Sequence, residues 1–218
     1  MAGRFVTFEG GEGVGKSTQI RRLAERLRDL AHDVVLTREP GGSPRAERLR
    51  ETLLSGGAKR FGTFAETTLI ASARADHVDR VIRPALQRGA IVLCDRYVDS
   101  TRAYQGSLGG LDKASIRSLE RVATAGAWPD LTVILDAPVE RSLERVANRA
   151  QGAAGDRFES EGRDFHGRLR AAFVEIAREE PERCVLVDAE GPEPVVAGRV
   201  WDVVSRRLGL TETKSRAV

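Results

Sequence analysis

Five short runs of apolar residues recur along the chain, at positions 5–8, 34–36, 91–94, 131–135 and 184–187. Each run is continuous, not alternating, so a strand formed there would be apolar on both faces. Helical spacing fills the intervals. Ile20, Leu23, Ala24, Leu27 and Leu30 follow the first run. Val139, Leu143 and Val146, then Phe165, Leu169, Phe173 and Ile176, follow the fourth. Val196, Val200, Val203, Val204 and Leu208 follow the last. A further helix is predicted over 66–86, with Leu69, Ala73, His77 and Val81 on one stripe that Arg74 and Arg80 interrupt. Continuous apolar strands alternating with amphipathic helices predict an α/β fold, a five-stranded parallel sheet with helices on both faces. One domain over 1–210 is expected, with 211–218 a polar, flexible tail.

The first interval adds chemistry to this frame. Gly10-Gly11-Glu12-Gly13-Val14-Gly15-Lys16-Ser17 fits G-x-x-x-x-G-K-[ST], between a predicted strand and a predicted helix. Phosphate oxygens must approach the backbone closely there, and glycine removes the Cβ that would obstruct them. The exposed N–H groups make an anion site at a helix N-terminus. Lys16 reaches toward β- and γ-phosphates, and the Ser17 hydroxyl is a Mg²⁺ ligand. Residues 10–17 with Thr18 are therefore the expected ATP-binding segment, and the fold is expected to be of the P-loop NTPase type.

Composition narrows the partners. Of 35 basic residues only four are lysines, and the arginines are scattered among 32 acids for a net charge of +3. Aromatics are 5% of the chain, so no basic groove interleaved with stacking rings is expected, and no nucleic acid. Cys94 and Cys184 lie in apolar strands and read as inert buried thiols, and His32, His77 and His166 do not cluster. No run has the length of a membrane span and no apolar signal segment is evident, so a cytoplasmic protein is expected, with no membrane partner.

Several strands end in an acid: Glu9, Asp95, Asp136 and Asp188. In open α/β sheets ligands bind beyond the carboxyl ends of the strands, so these positions carry most of the functional information. Asp95 is placed to hold Mg²⁺ through water, with Arg96 facing the same crevice. Asp136 and Asp188 can equally be turn caps. Arg38, at the end of the second strand, is either an anion ligand or a solvated loop residue. The stretch 100–106, which includes Ser100, Thr101, Tyr104 and Gln105, suits a pocket wall. Segment 149–163 combines Gly152, Gly155 and Gly162 with Arg149, Arg157 and Arg163. It reads as a short mobile lid or as a charged linker. A P-loop alone leaves three readings: a small-molecule kinase, a regulatory GTPase or an ATPase module. The chain has no N-K-x-D segment for a guanine base, and arginines around the strand ends suit two anionic substrates.

Taken together, the P-loop within 9–19, Thr37-Arg38-Glu39-Pro40-Gly41-Gly42, Asp95-Arg96-Tyr97, Ala103-Tyr104-Gln105-Gly106, Asp156-Arg157-Phe158-Glu159 and Asp164-Phe165-His166 resemble bacterial thymidylate kinase. The resemblance runs from about residue 4 to residue 208. It implies transfer of phosphoryl from ATP to dTMP with Mg²⁺, by a homodimer joined near helix 66–86. It implies that Arg38 and Arg96 hold the dTMP phosphate and that Arg74 reads O4 of the base. Thr101 would meet N3, Tyr104 would favour deoxyribose, and Glu12 would approach the 3′-hydroxyl. Ser100 and Gln105 complete the dTMP residues. The family carries its catalytic arginine either in the P-loop, where this chain has Gly13, or in the lid. Arg157, then Arg149, are the expected catalytic arginines, with Lys16 and Asp95. The chain departs from the family at Ile70, where an aromatic usually stacks on thymine, and at Ala73, where an acid is common. Another pyrimidine nucleoside monophosphate kinase is the alternative.

Overall fold

The structure is a computed structural model, described here for residues 3–149 and 161–210. Its centre is a parallel sheet in the order β2-β3-β1-β4-β5. The strands are β1 (Arg4–Glu9), β2 (Val34–Arg38), β3 (Ile91–Asp95), β4 (Leu131–Asp136) and β5 (Cys184–Asp188). Every apolar run lies within a strand, and the strands extend one or two residues further than the runs. β1 is central, with Phe8 opposite Asp95 of β3 and Val133 of β4. The chain leaves β1 toward β2 on one side and reaches β4 on the other. The crevice at the carboxyl end of β1 is thus where a ligand site is expected.

Alternate residues of each strand face opposite layers. Val6 and Phe8 pack toward α1 (Lys16–Asp29) and α9 (Glu193–Leu208), against Leu23, Leu27 and Trp201. Phe5, Val92 and Cys94 face the other side, against Val78, Ile82 and Ala85. Ile134 and Cys184 meet Leu169, Phe173 and Ile176 of α8 (Arg163–Glu179) on that side. Both cysteines are buried free thiols.

Two helices that periodicity did not single out complete the layers. In α2 (Pro44–Leu54), the Ser43 side chain accepts from the Ala46 N–H and proline occupies the first turn. In α6 (Lys113–Thr124), Asp112 accepts from the Ser115 N–H. The helix expected over 66–86 is longer and interrupted. A 3₁₀ turn over residues 59–61 leads into α3 (Gly62–His77), a wide π turn spans 78–82, and α4 (Arg83–Gln87) follows. Pro84 has no N–H for the preceding turn, which accounts for the widening. The buried face differs from the expected stripe. Thr67, Ala71, Arg74, His77 and Val78 are buried, whereas Leu69 and Val81 are only half-buried. Beyond β3, α5 (Val98–Thr101) runs into a second π turn over 102–108. From β4, α7 (Val139–Arg149) leaves toward the segment expected to be the lid.

Candidate active site

The P-loop forms at the carboxyl end of β1, as the motif predicts. Gly10, Gly13 and Gly15 all take positive φ, at 129°, 72° and 98°. A Cβ on Gly10 would lie 2.4 Å from the Leu135 carbonyl oxygen, and one on Gly13 would lie 2.1 Å from that of Ser142 in α7. Gly15 precedes α1 with no side-chain cap, so the first N–H groups of that helix face the loop uncapped. Lys16 is buried, and its Nζ donates to the carbonyl oxygens of Gly10 at 3.0 Å and Gly11 at 2.7 Å. Burial and the neighbouring Arg96 lower its pKa, against the attraction of Glu12, Asp95 and Glu9.

The acid ends of β1 and β3 divide the remaining work. The Ser17 hydroxyl donates to Asp95 Oδ2 at 2.8 Å. Asp95 Oδ1 is buried and has no hydrogen-bond partner among the described residues. Arg96 follows in the left-handed region, at φ 68°, an uncommon conformation for a side-chain-bearing residue. From there its guanidinium donates to Glu12 Oε1 at 2.5 Å, to Ser100 Oγ at 3.2 Å and to the Gly10 carbonyl at 3.3 Å. Tyr104 also donates to Glu12 Oε1, at 2.8 Å. Burial alone would raise the Glu12 carboxyl; Arg96, Lys16 and Tyr104 outweigh it and bring it to about 2. Glu9 sits beneath this cluster, fully buried. It accepts from the Tyr97 N–H at 2.7 Å and the Ser100 hydroxyl at 2.6 Å, pinning the turn that carries Arg96. Burial, then the nearby Asp99, raise Glu9 to about 7 against those hydrogen bonds and Arg96.

A cavity extends from Glu12 and Arg96 between α2, α3 and the second π turn. Seven further residues expected from the sequence were Ile70, Arg74, Arg96, Ser100, Thr101, Tyr104 and Gln105, and all of them line it together with Glu12. Ile70, Leu53, Leu54 and Tyr97 supply apolar wall. At the far end Arg74 is buried, a position the 66–86 pattern alone did not indicate. Its Nε donates to Glu39 Oε2 at 2.7 Å, and its Nη2 donates to the Tyr97 carbonyl and to Thr101 Oγ1, both at 3.1 Å. Gln105 donates to Glu66 Oε1 at 3.0 Å.

Other expectations fall elsewhere. Arg38 is more than half exposed and pairs with Glu47 Oε2 at 3.0 Å, so its side chain is not part of the cavity wall. Asp136 is not merely a turn cap: Arg170 of α8 binds both its oxygens, at 2.7 and 2.8 Å. Asp188 does cap its turn, accepting from the Glu190 N–H at 2.9 Å. Arg149 closes α7, and Arg157 lies outside the described residues. Glu39, Arg50 and Glu66 also line the cavity and were not among the expected site residues. Glu39 stood inside the quoted 37–42 motif. Its polarity was the signal, but nothing in the spacing separated an inward carboxylate from a solvated one.

The family can be decided from comparison. A model of the thymidylate kinase family matches residues 8–199. The chain belongs to the thymidylate kinase family. A thymidylate kinase of Caulobacter vibrioides is 56% identical over 208 residues, 95% of this chain and 99% of the relative. One from a Bradyrhizobium species is 58% identical over 207 residues, 94% of this chain and 91% of the relative. Among solved structures, a crystal structure of thymidylate kinase from Ehrlichia chaffeensis superimposes with a TM-score of 0.75 at 30% identity, covering 94% of this chain and all of that one. The P-loop NTPase fold expected from the glycine motif is therefore that of the thymidylate kinase family. At Gly13 the α7 backbone and the Val146 side chain occupy the space that any side chain would need.

Proposed function

We propose that the protein transfers the γ-phosphoryl group of ATP to dTMP, giving ADP and dTDP. The carrying observation is one cavity with an arginine at each end, the buried Arg74 and the partly buried Arg96, that opens on the P-loop at Glu12. A planar base with an exocyclic oxygen suits the Arg74 end, and a phosphate suits the Arg96 end. The acceptor oxygen is already anionic at neutral pH, so the reaction needs no general base. It needs two anions held in line. Arg96 grips the acceptor phosphate, while Lys16 and the uncapped N–H groups of α1 hold the donor. Thr101 and Gln105 present polar atoms to the base, and Tyr104 and Glu12 crowd the sugar.

The donor set also fits Mg²⁺. Asp95 keeps a buried oxygen without a partner among the described residues, and Ser17 stands beside its other oxygen. No cage of three or more His, Cys, Asp or Glu exists among the described residues, which agrees with a site completed by phosphate and water. Ser17 would bind the ion directly and Asp95 through water, and the ion would offset charge on the phosphates. The charge on the transferring phosphoryl is assigned to Arg157, with Arg149 as second choice, because Gly13 has no room for it. Arg38 is assigned to the acceptor phosphate by resemblance, which requires it to leave Glu47. We further propose a homodimer through α3, supported by Phe61 and Phe64, exposed at its start, and work in the cytoplasm. No described helix is long and apolar enough to cross a membrane.

An ADP-release assay with ATP, Mg²⁺ and a panel of nucleoside monophosphates tests the reading. dTMP is expected to be the best acceptor. Faster turnover of AMP or GMP, or GTP hydrolysis with no monophosphate used, would overturn it.

A further inference from the structure

Arg74 is held from behind by a chain of side chains that runs away from the cavity, through Glu39 and His77 to Thr37. A guanidinium has five donors in one plane. Three hydrogen bonds hold Arg74, from Nε to Glu39 and from Nη2 to Tyr97 and Thr101, and its Nη1 has no partner among the described residues. Nη1 is therefore the arm left for a ligand, and its direction depends on where Glu39 stands. Glu39 is itself buried, at 4% exposure. Its second oxygen, Oε1, faces Nδ1 of His77 at 3.0 Å, and His77 is completely buried. The other ring nitrogen, Nε2, meets the Thr37 hydroxyl at 2.6 Å. The loop closes over this contact at Gly42, where a Cβ would stand 2.4 Å from His77 Nε2 and 2.6 Å from Thr37 Oγ1. The His77 imidazole thus joins β2 to the loop after it, beside the Arg74–Glu39 and Ser43–Asp76 bonds that also tie that loop to α3.

We infer that His77 is a positioning residue for base recognition: anchored by Thr37, it holds Glu39, and Glu39 aims the free arm of Arg74 at an exocyclic oxygen of the base. The inference rests on the dTMP reading above. A buried carboxylate with one oxygen unpaired would be free to change rotamer, and the Arg74 plane would turn with it. A fixed N–H donates to the O4 of a thymine and opposes the amino group that cytosine carries at that position. His77 never meets the substrate, so its loss is read in KM and in base choice, with phosphoryl transfer unchanged.

The test compares full-length variants with dTMP and dCMP as acceptors at saturating ATP and Mg²⁺, with the thermal unfolding midpoint recorded for each. Asparagine puts an amide N–H where imidazole has Nδ1, so His77→Asn retains the donor to Glu39. Glutamine carries its amide to the Thr37 side, so His77→Gln loses it. His77→Gln is expected to raise the dTMP KM about tenfold and to lower the dTMP-over-dCMP preference similarly, with kcat within about twofold. His77→Asn should stay within about threefold of the parent in KM. Thr37→Val, which removes only the anchoring hydroxyl, should raise KM about threefold. Equal effects of asparagine and glutamine, or a fall in kcat with KM unchanged, would overturn the inference. If the His77 variants do not fold, Thr37→Val decides, and an unchanged KM refutes the chain. A parent protein that does not use dTMP at all would refute the underlying reading instead.

Discussion

The two ends of the cavity hold their arginines in different ways. Arg74 is buried among partners that belong to the fold: Glu39, backed by His77, the Tyr97 carbonyl and Thr101. Arg96 and Lys16, the proposed phosphate holders, rest on the P-loop carbonyls of Gly10 and Gly11 and on the carboxylate of Glu12, partners that an incoming phosphate would replace under that proposal. A base is neutral, so its reader must be rigid and already desolvated to discriminate. A phosphate is charged and moves during the reaction, so its holders are better satisfied provisionally. The difference predicts that substitutions at the phosphate end act on turnover or anion binding, and those at the base end act on selectivity.

The largest test of that division is Lys16→Ala. It removes the ammonium from the phosphate cradle, and kcat should fall by more than about 10³-fold in a variant with an unchanged unfolding midpoint. Near-normal turnover would mean that the loop carbonyls are the real partners of Lys16 and that it does not transfer to phosphate.

Arg157→Ala should lower kcat by about 10³-fold, while dTMP affinity titrated without ATP stays unchanged. Arg96→Ala should do the reverse, weakening dTMP binding directly, because in the proposed role Arg96 meets the acceptor phosphate before the transition state as well. Normal kcat in both Arg157→Ala and Arg149→Ala would leave Lys16 and the metal as the sole positive charge at the reacting phosphoryl.

The base end is sharpened at Ile70, which lines the cavity where relatives of this chain are expected to stack an aromatic ring. Ile70→Phe adds a ring-on-ring contact of about 1 kcal/mol, so the dTMP KM should fall about fivefold with kcat constant. An unchanged KM in a folded variant would place the ring-stacking role on another residue.

The smallest effect concerns Glu9, which supports the turn beneath both ends. Its folded pKa of about 7 lies above the 4.5 of an ordinary glutamate. A raised folded pKa means that the native state binds the proton more tightly than the unfolded chain. The associated stability is complete below pH 4.5 and is lost as the pH climbs through 7. Glu9→Gln cannot ionise, so its unfolding free energy relative to the parent should rise across that window. A constant difference between pH 4 and 8 would show that Glu9 ionises normally in the fold.

The fold was legible because its signals are local or periodic. Five apolar runs located all five strands, and a glycine motif with the correct flanks located the phosphate site. Most of the cavity wall followed from family resemblance at named positions. What stayed hidden depends on tertiary contact. Arg74 and Arg80 interrupt the same helical pattern, yet one is buried and the other pairs with Asp76 in solvent at 2.8 Å. Spacing cannot distinguish them, because it is the approach of Glu39 from the loop after β2, with the Tyr97 carbonyl and Thr101, that makes burial of a guanidinium tolerable. The same holds for Asp136, whose partner Arg170 lies 34 residues away on α8. Arg38 is a different case: its position left an anion ligand and a solvated loop residue equally open, the resemblance favoured the ligand, and its side chain pairs with Glu47 at 3.0 Å.

The contact between Gly13 and α7 bears on how such an enzyme can change over generations. The Ser142 carbonyl and the Val146 side chain stand 2.1 and 2.9 Å from where a Cβ would be, and φ at Gly13 is positive. A single codon change to arginine at this position would therefore collide with a helix before it could offer any charge to the nucleotide. An arginine could be housed there only if α7 stood further from the loop.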